Sequence, residues 1–232
     1  MIEPPHLSDG VVTLRAWRSA DLAATLAACD DPALAAWLPI PQPYTEDVGR
    51  HWLDVLVPEQ WAGQERLPLA IAGPDGDGVL GGLAVRLRDR QFAIGEVSYW
   101  VAARARGRGV AVRTALLAAR WAFADLGVRR LELLADVRNV ASQRVAEKAG
   151  FAREGVLRSA RELWGERHDM VLYALLPTDL PADPPIGLPG GLPGGLPGGL
   201  PGDLPGDLPG GLPGDLPGRA ARVGRTGGVA PG

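Results

Sequence analysis

Arg104-Ala105-Arg106-Gly107-Arg108-Gly109-Val110-Ala111 lies between an extended run, residues 95–101, and a long helical pattern. Two glycines allow a backbone to pass close to a ligand. The N-terminus of the helix would add unpaired N–H groups and the positive end of its dipole. The turn therefore predicts a pyrophosphate site, with a plain strand-to-helix connection as the alternative. Apolar side chains mark one face of this helix at Val112, Leu116, Ala119, Phe123 and Leu126.

The turn does not match the two common nucleotide-binding motifs. Gly107 and Gly109 lack the third glycine of the dinucleotide fingerprint, and no Gly-Lys-Ser/Thr of a P-loop follows them. A diphosphate ligand outside those classes is indicated, and coenzyme A is the obvious candidate.

Two motifs resemble those of the GNAT superfamily of N-acetyltransferases. Arg104-x-x-Gly107-x-Gly109 is similar to its acetyl-CoA motif, Arg/Gln-x-x-Gly-x-Gly/Ala. Residues 139–151, Asn-Val-Ala-Ser-Gln-Arg-Val-Ala-Glu-Lys-Ala-Gly-Phe, look like its second signature. With Arg153-Glu154-Gly155 they resemble the RimJ/RimL-like branch, whose members acetylate protein N-termini or other amines. The resemblance covers about residues 7–176, and Arg113 departs from it, because the branch more often has an acidic residue there.

The resemblance implies roles for particular residues. A backbone N–H near Val101 would polarise the thioester carbonyl, Asn139 would contact the coenzyme, and Ser142 would protonate the leaving thiolate. Asn139 and Ser142 also have the spacing of a helix N-cap, so each could cap the helix, act in catalysis, or do both. The expected coenzyme-binding residues are Val101, Arg104, Arg106, Gly107, Arg108, Gly109, Val110, Ala111, Asn139 and Ser142.

Glu96 is the first candidate for the general base. On an extended strand it shares a face with Ile94, Ser98 and Trp100. A carboxylate among apolar neighbours should have a raised pKa, closer to the working pH. A surface glutamate or an ion-pair partner is the equally weighted alternative. Other base candidates are Glu162, Glu166, His168 and Asp169, and a chain of water molecules could replace a dedicated base.

The order of predicted elements gives an α+β sandwich. Seven runs read as strands, and helices cross over between them, so we expect a mostly antiparallel mixed sheet of about six to seven strands flanked by helices. The GNAT fold has that form, with its fourth and fifth strands splayed apart. A helix beginning at Thr45 is predicted to end before Pro58. Four aromatic residues in the region before the second strand could line the acceptor site or belong to the core: Trp37, Tyr44, Trp52 and Trp61.

Composition narrows the class of protein. The chain has 232 residues, and residues 1–176 contain 21 basic and 22 acidic side chains, which argues against a nucleic-acid surface. Cys29 is the single cysteine and the three histidines lack ligand spacing, so we expect no disulfide and no metal. Cys29 is also an improbable nucleophile, because burial in an apolar helix would raise its pKa. Neither a signal pattern nor a membrane-length apolar run occurs, so a cytoplasmic protein is expected. The sequence leaves both a monomer and a homodimer open.

The composition changes after Pro177. Residues 187–218 repeat Gly/Asp-Leu-Pro-Gly eight times, a pattern that cannot bury a face. Residues 1–177 are therefore predicted to form one acetyltransferase domain, and residues 178–232 a disordered low-complexity tail.

The functional expectation is transfer of an acetyl group from acetyl-CoA to a primary amine by direct attack in a ternary complex. A protein N-terminal α-amine is the favoured acceptor, since its pKa of about 7.7–8.0 leaves far more free amine near neutrality than a lysine at about 10.4. A small-molecule amine such as an antibiotic or a polyamine comes second. A non-catalytic coenzyme-A-binding sensor or scaffold, or an interaction protein presenting the Leu-Pro-Gly tail, remain as rivals.

Overall fold

A computed structural model describes residues 2–180. The predicted tail lies outside the described residues from position 181 onward. Eight strands form one mixed sheet in the order β1-β2-β3-β4-β5-β6-β8-β7. The strands are β1 (Leu7–Ser8), β2 (Thr13–Arg15), β3 (Arg66–Ala72), β4 (Val79–Asp89), β5 (Ile94–Val101), β6 (Arg130–Asp136), β7 (Ala152–Leu163) and β8 (Glu166–Leu175). The helices are α1 (Leu22–Cys29), α2 (Pro32–Ala35), α3 (Glu46–His51), α4 (Val57–Gly63), α5 (Val110–Ala124) and α6 (Val140–Lys148).

The sheet is antiparallel except between β5 and β6, so the predicted α+β architecture is confirmed. The eighth strand, β1, has two residues, which is too short to produce a sequence pattern. The parallel pair holds for only three positions, from Ile94 opposite Arg130 to Glu96 opposite Glu132. Both strands continue beyond that point without pairing to each other, so the described sheet opens between them.

Strand β5 separates two apolar clusters. Val97, Tyr99 and Val101 face the main core, which includes the buried side of α5 and α6. Trp100, on the opposite face, packs with Cys29 and other residues from α1 and the loop after α2. Because side chains alternate along a strand, one short segment faces both sides of the sheet.

The prediction that a helix ends before Pro58 is wrong. The helical chain continues to Gly63 through a π-helical segment, Trp52–Leu56, in which the N–H of Val57 bonds to the carbonyl of Trp52. Proline has no N–H to complete an ordinary helical turn. The wider π turn directly before Pro58 changes the hydrogen-bond register there and lets helix continue past the proline.

The chain remains ordered past Leu175. Pro177–Asp179 form a 3-10 turn in which the Asp179 carboxylate accepts the N–H of Leu176 at 2.9 Å. Leu180 packs against the main core. Among residues 2–180, none of the helices combines the length and apolarity needed to cross a bilayer.

Candidate active site

The coenzyme loop, residues 104–111, places both of its glycines in left-handed backbone. Gly107 has φ 73° and Gly109, the N-cap of α5, has φ 75°. Side chains other than glycine are strained in that region. A Cβ atom added at either position would meet no described atom within 4 Å. The loop therefore has open space beside a helix N-terminus, where the first N–H groups lack intrahelical acceptors.

The three arginines of the loop have different surroundings. Arg104 donates to the carbonyl of Val79. Arg106 donates to the carbonyl of Val101 at 3.1 Å and pairs with Asp31 at 2.6 Å. Arg108 is exposed. The side chains of Arg104 and Arg106 thus hold the loop to the sheet and to α2, although Arg104 is also exposed to solvent. The exposed Arg108 lies beside the open space.

The strand gap is the cavity between β5 and β6 beyond their last paired residues. The N–H of Ala102 bonds to Leu80 of β4. Because N–H groups alternate in direction along a strand, the N–H of Val101 points away from β4, toward the gap. The gap brings together two of the candidate residues, Glu96 of β5 and Ser142 of α6. Its lining comes from four elements and consists of Glu96, Val97, Ser98, Tyr99, Leu133, Leu134, Ser142 and Arg161.

Ser142 is fully buried at the gap, in the first turn of α6. The side chain of Asn139 caps that helix, accepting the N–H of Ser142 at 3.0 Å, as the capping interpretation predicted. The hydroxyl oxygens of Ser142 and Tyr99 lie 3.1 Å apart, and either can donate. Tyr99 was missed by the sequence analysis, because its partner lies 43 residues away along the chain.

Glu96 is buried at the gap, but its surroundings are not apolar as expected. Arg161 bonds to one carboxylate oxygen, and Arg88 Nε lies 3.6 Å from the other. The same Arg88 also pairs with Glu132 at 2.6 Å. Glu96 therefore lies where a base would be needed and is also the ion-pair partner that the alternative interpretation described. Its role as the base remains a prediction.

The other base candidates lie outside the gap lining. His168 is buried, with Nδ1 2.5 Å from Asp136 and 2.7 Å from an Arg138 nitrogen. Burial alone would raise the pKa of Asp136, but hydrogen bonds from Arg138 and His168 lower it below its usual value. The remaining candidates are exposed: Glu162, Glu166 and Asp169. No three His, Cys, Asp or Glu residues in the described chain are grouped as metal ligands.

A second pocket lies on the Trp100 face of β5, between the α1–α4 region and strands β3 and β4. It is the candidate for the acceptor site and is called the acceptor pocket below. Tyr44 and Trp52 line it, as the sequence suggested. Trp61 instead packs in the core and donates to the carbonyl of Pro68, and Trp37 lies under Arg138. Two tryptophans not expected there also line the pocket: Trp17 and Trp100.

Cys29 lines the same pocket and is buried. Burial raises the pKa of its thiol to about 12, against an opposing contribution from its hydrogen bond with Tyr44. The expectation that Cys29 is not a nucleophile is consistent with this environment, because the thiolate is the reactive form.

A mixed sheet that opens between two parallel strands beside a glycine loop is the form expected of the GNAT fold. A family model described as an acetyltransferase (GNAT) domain matches residues 12–152, and the chain belongs to that family. Over 81 residues it is 35% identical to YdaF of Bacillus subtilis (strain 168), a protein named as a ribosomal N-acetyltransferase. That match spans 35% of this chain and 44% of YdaF, which is less than half of the relative.

Solved structures share the fold over most of the described chain. A protein from T. thermophilus described as an acetyltransferase is 29% identical, with a TM-score of 0.66, covering 77% of this chain and 93% of that one. Mycobacterium smegmatis RimJ, solved in complex with CoA-disulfide, is 26% identical with a TM-score of 0.65 and coverages of 77% and 90%.

Proposed function

We propose that this protein transfers an acetyl group from acetyl-CoA to a primary amine, with the α-amine of a polypeptide N-terminus as the acceptor. The observation that carries the proposal is the strand gap, which joins the buried hydroxyl of Ser142 to Glu96 on β5. The coenzyme loop begins at the end of that strand. Names of similar proteins, such as RimJ and the ribosomal acetyltransferase YdaF, support a protein acceptor.

The coenzyme loop fits a pyrophosphate. Gly107 and Gly109 leave open space, the first turn of α5 offers N–H donors, and Arg108 adds an exposed positive charge. Bound acetyl-CoA would supply an activated thioester, and the N–H of Val101 would face its carbonyl oxygen from the gap. Asn139 holds the first turn of α6 so that Ser142 faces the same space.

Two groups on the gap would handle protons. Glu96 accepts the proton of the attacking amine, directly or through water, with Arg88 and Arg161 fixing its carboxylate. Ser142 Oγ gives a proton to the leaving sulfur, and the Tyr99 hydroxyl at 3.1 Å can replace it. Such proton transfers typically contribute about 10²–10⁴-fold to a rate.

The experiment is a thermal-shift titration of the full chain with acetyl-CoA, followed by an amine panel with detection of the released thiol. A ligand at a hundred times its Kd adds about 2.7 kcal/mol, which raises the Tm by a few degrees. The buried Cys29 thiol should add little background to the thiol signal. Binding without turnover on any amine would favour a sensor or scaffold, and the absence of any stabilisation by acetyl-CoA or coenzyme A would refute the proposal.

A further inference from the structure

The acceptor pocket contains buried hydrogen-bond donors without acceptors. Trp17 Nε1, Trp100 Nε1 and Arg66 Nη2 are buried and have no hydrogen-bond partner among residues 2–180, and all three side chains line this pocket. Trp100 is only 1% exposed. Buried N–H groups in folded proteins nearly always have an acceptor. Three orphaned donors around one cavity therefore indicate a ligand that brings acceptor oxygens.

Among the described residues, the charges near Arg66 are more positive than negative. Glu96 is the nearby anion, and it is already bonded to Arg161 and close to Arg88. Arg86 and Arg161 add further positive charge beside Arg66. Burial lowers the pKa of the Arg66 guanidinium, and Glu96 only partly opposes that effect. An anionic group in the pocket would relieve the cost of this dehydrated charge.

The indole rings of Trp17 and Trp100 are fixed by packing within the pocket lining. Their ring centroids are 6.4 Å apart with planes 19° from parallel, and Trp52 meets Trp17 edge-on at 4.8 Å. A Cβ on Gly82 would lie 2.4 Å from Trp100 Nε1 and 3.0 Å from a Trp17 ring carbon. The donors are therefore fixed by packing, and most of the remaining lining is apolar.

We infer that this pocket selects an acceptor amine that carries a carboxylate close to the amine, bound by Arg66 with help from the indole N–H groups of Trp17 and Trp100. The inference rests on the acetyl transfer proposed above and adds a chemical requirement for the acceptor. The carboxylate can belong to an acidic first residue of a polypeptide or to a free amino acid. Polyamines are disfavoured, because they would place further positive charge beside the buried guanidinium of Arg66.

The test compares matched pairs of acetylated products, which bind without turnover. One pair is an N-acetylated tripeptide amide beginning with aspartate or asparagine, and the other is N-acetylphenylalanine and its amide. Quenching of the pocket tryptophans reports the Kd of each compound with the full chain. Arg66→Gln removes the charge, Arg66→Lys keeps it, and Arg50→Gln is the control, because Arg50 is exposed and pairs with Glu46 on α3.

We expect the carboxylate member of one pair to bind at least about tenfold tighter than its neutral twin, as charged hydrogen bonds do. That ratio should persist in Arg50→Gln and Arg66→Lys and fall toward one in Arg66→Gln. The pair that shows the ratio identifies the source of the carboxylate. Equal binding within both pairs, or a ratio unchanged in folded Arg66→Gln, would overturn the inference.

Turnover of the corresponding free amines separates this inference from the proposed function. Acetylation of all amines at similar efficiency, with equal product binding, means that the function stands and the selectivity does not. Carboxylate-dependent binding without acetylation of any amine means that the selectivity stands and the proposed function does not. If Arg66→Gln fails to fold by circular dichroism, the wild-type ratio and its retention in Arg66→Lys decide the question.

Discussion

The coenzyme loop and the acceptor pocket are built in opposite ways. The loop is a continuous stretch of eight residues whose features are backbone conformation and a helix N-terminus. The pocket collects side chains from residues as far apart as Trp17 and Trp100. A site built from backbone groups tolerates many side-chain substitutions, except at the glycines where a Cβ atom would enter the ligand space. A pocket built from side chains changes shape with each substitution. Substitutions in the two regions should therefore affect different kinetic quantities.

Gly107→Val should have the largest effect. It adds a branched side chain at φ 73° in the space beside the helix N-terminus, and we expect acetyl-CoA affinity to fall about a hundredfold, or about 2.7 kcal/mol. Gly127→Val is the matched control, since Gly127 has φ 69° and equally open surroundings at the other end of α5. Calorimetry should show weakened binding only for the first variant, and similar affinities for both would refute a backbone cradle.

Ser142→Ala tests the strand gap, which Ser142 lines and which belongs to neither of the two regions. We expect kcat to fall by up to about 100-fold, the lower end of what a proton donor contributes, with little change in acetyl-CoA affinity. Stability should also fall by about 1–2 kcal/mol, because the buried hydrogen bond between Ser142 and Tyr99 is lost.

Thr13→Ala controls for loss of a buried hydroxyl, since Thr13 is fully buried on β2 and bonds to the carbonyl of Pro74. It should be less stable but keep its kcat. A comparable fall in kcat for both variants would mean that Ser142 has only a structural role.

Gly82→Ala should affect the acceptor pocket alone. The new methyl group would force Trp100 to move, and we expect the acceptor KM to rise by about three- to tenfold, or about 1 kcal/mol, with acetyl-CoA affinity unchanged. Gly155→Ala is the control, because a Cβ there meets no described atom within 4 Å. Steady-state kinetics, with each substrate varied in turn, measure both effects. A weakened affinity for acetyl-CoA would contradict the separation between the acceptor pocket and the coenzyme loop.

Cys29 should give the smallest effect. Its pKa of about 12, raised by burial from 9.0, keeps the thiol protonated, so alkylation at pH 8 should be much slower in the native protein than in urea. Because the unfolded chain ionises first, the thiol should cost stability only as pH rises from about 9 toward 12. Rapid labelling of native protein, followed by mass spectrometry, would show that the pocket wall opens.

Features set by neighbouring residues were predictable from the sequence. The glycine loop and the Asn139 cap depend on spacings of a few residues, and both have the expected local structure. Arg106 was expected at the coenzyme, but its guanidinium bonds to Asp31, 75 residues earlier.

Features set by distant pairs were not predictable. The ion pair of Glu96 with Arg161 spans 65 residues, and no local pattern encodes it. The indole donors of the acceptor pocket were missed for the same reason, because Trp17 follows β2 and Trp100 lies on β5, far apart in the sequence. The helix beyond Pro58 was missed because proline is a clear helix-ending signal, whereas the π turn that accommodates it has no such signal in the sequence.

The three-residue junction between β5 and β6 also bears on how the protein unfolds. The sheet consists of a five-stranded part and a three-stranded part with few ladder bonds between them, so α5 and α6 provide most of the connection. Two such parts can behave as separate cooperative units in native-state hydrogen exchange. A molecule lying in the gap would contact both parts of the sheet. If acetyl-CoA binds there, the two parts should open together rather than separately in hydrogen exchange.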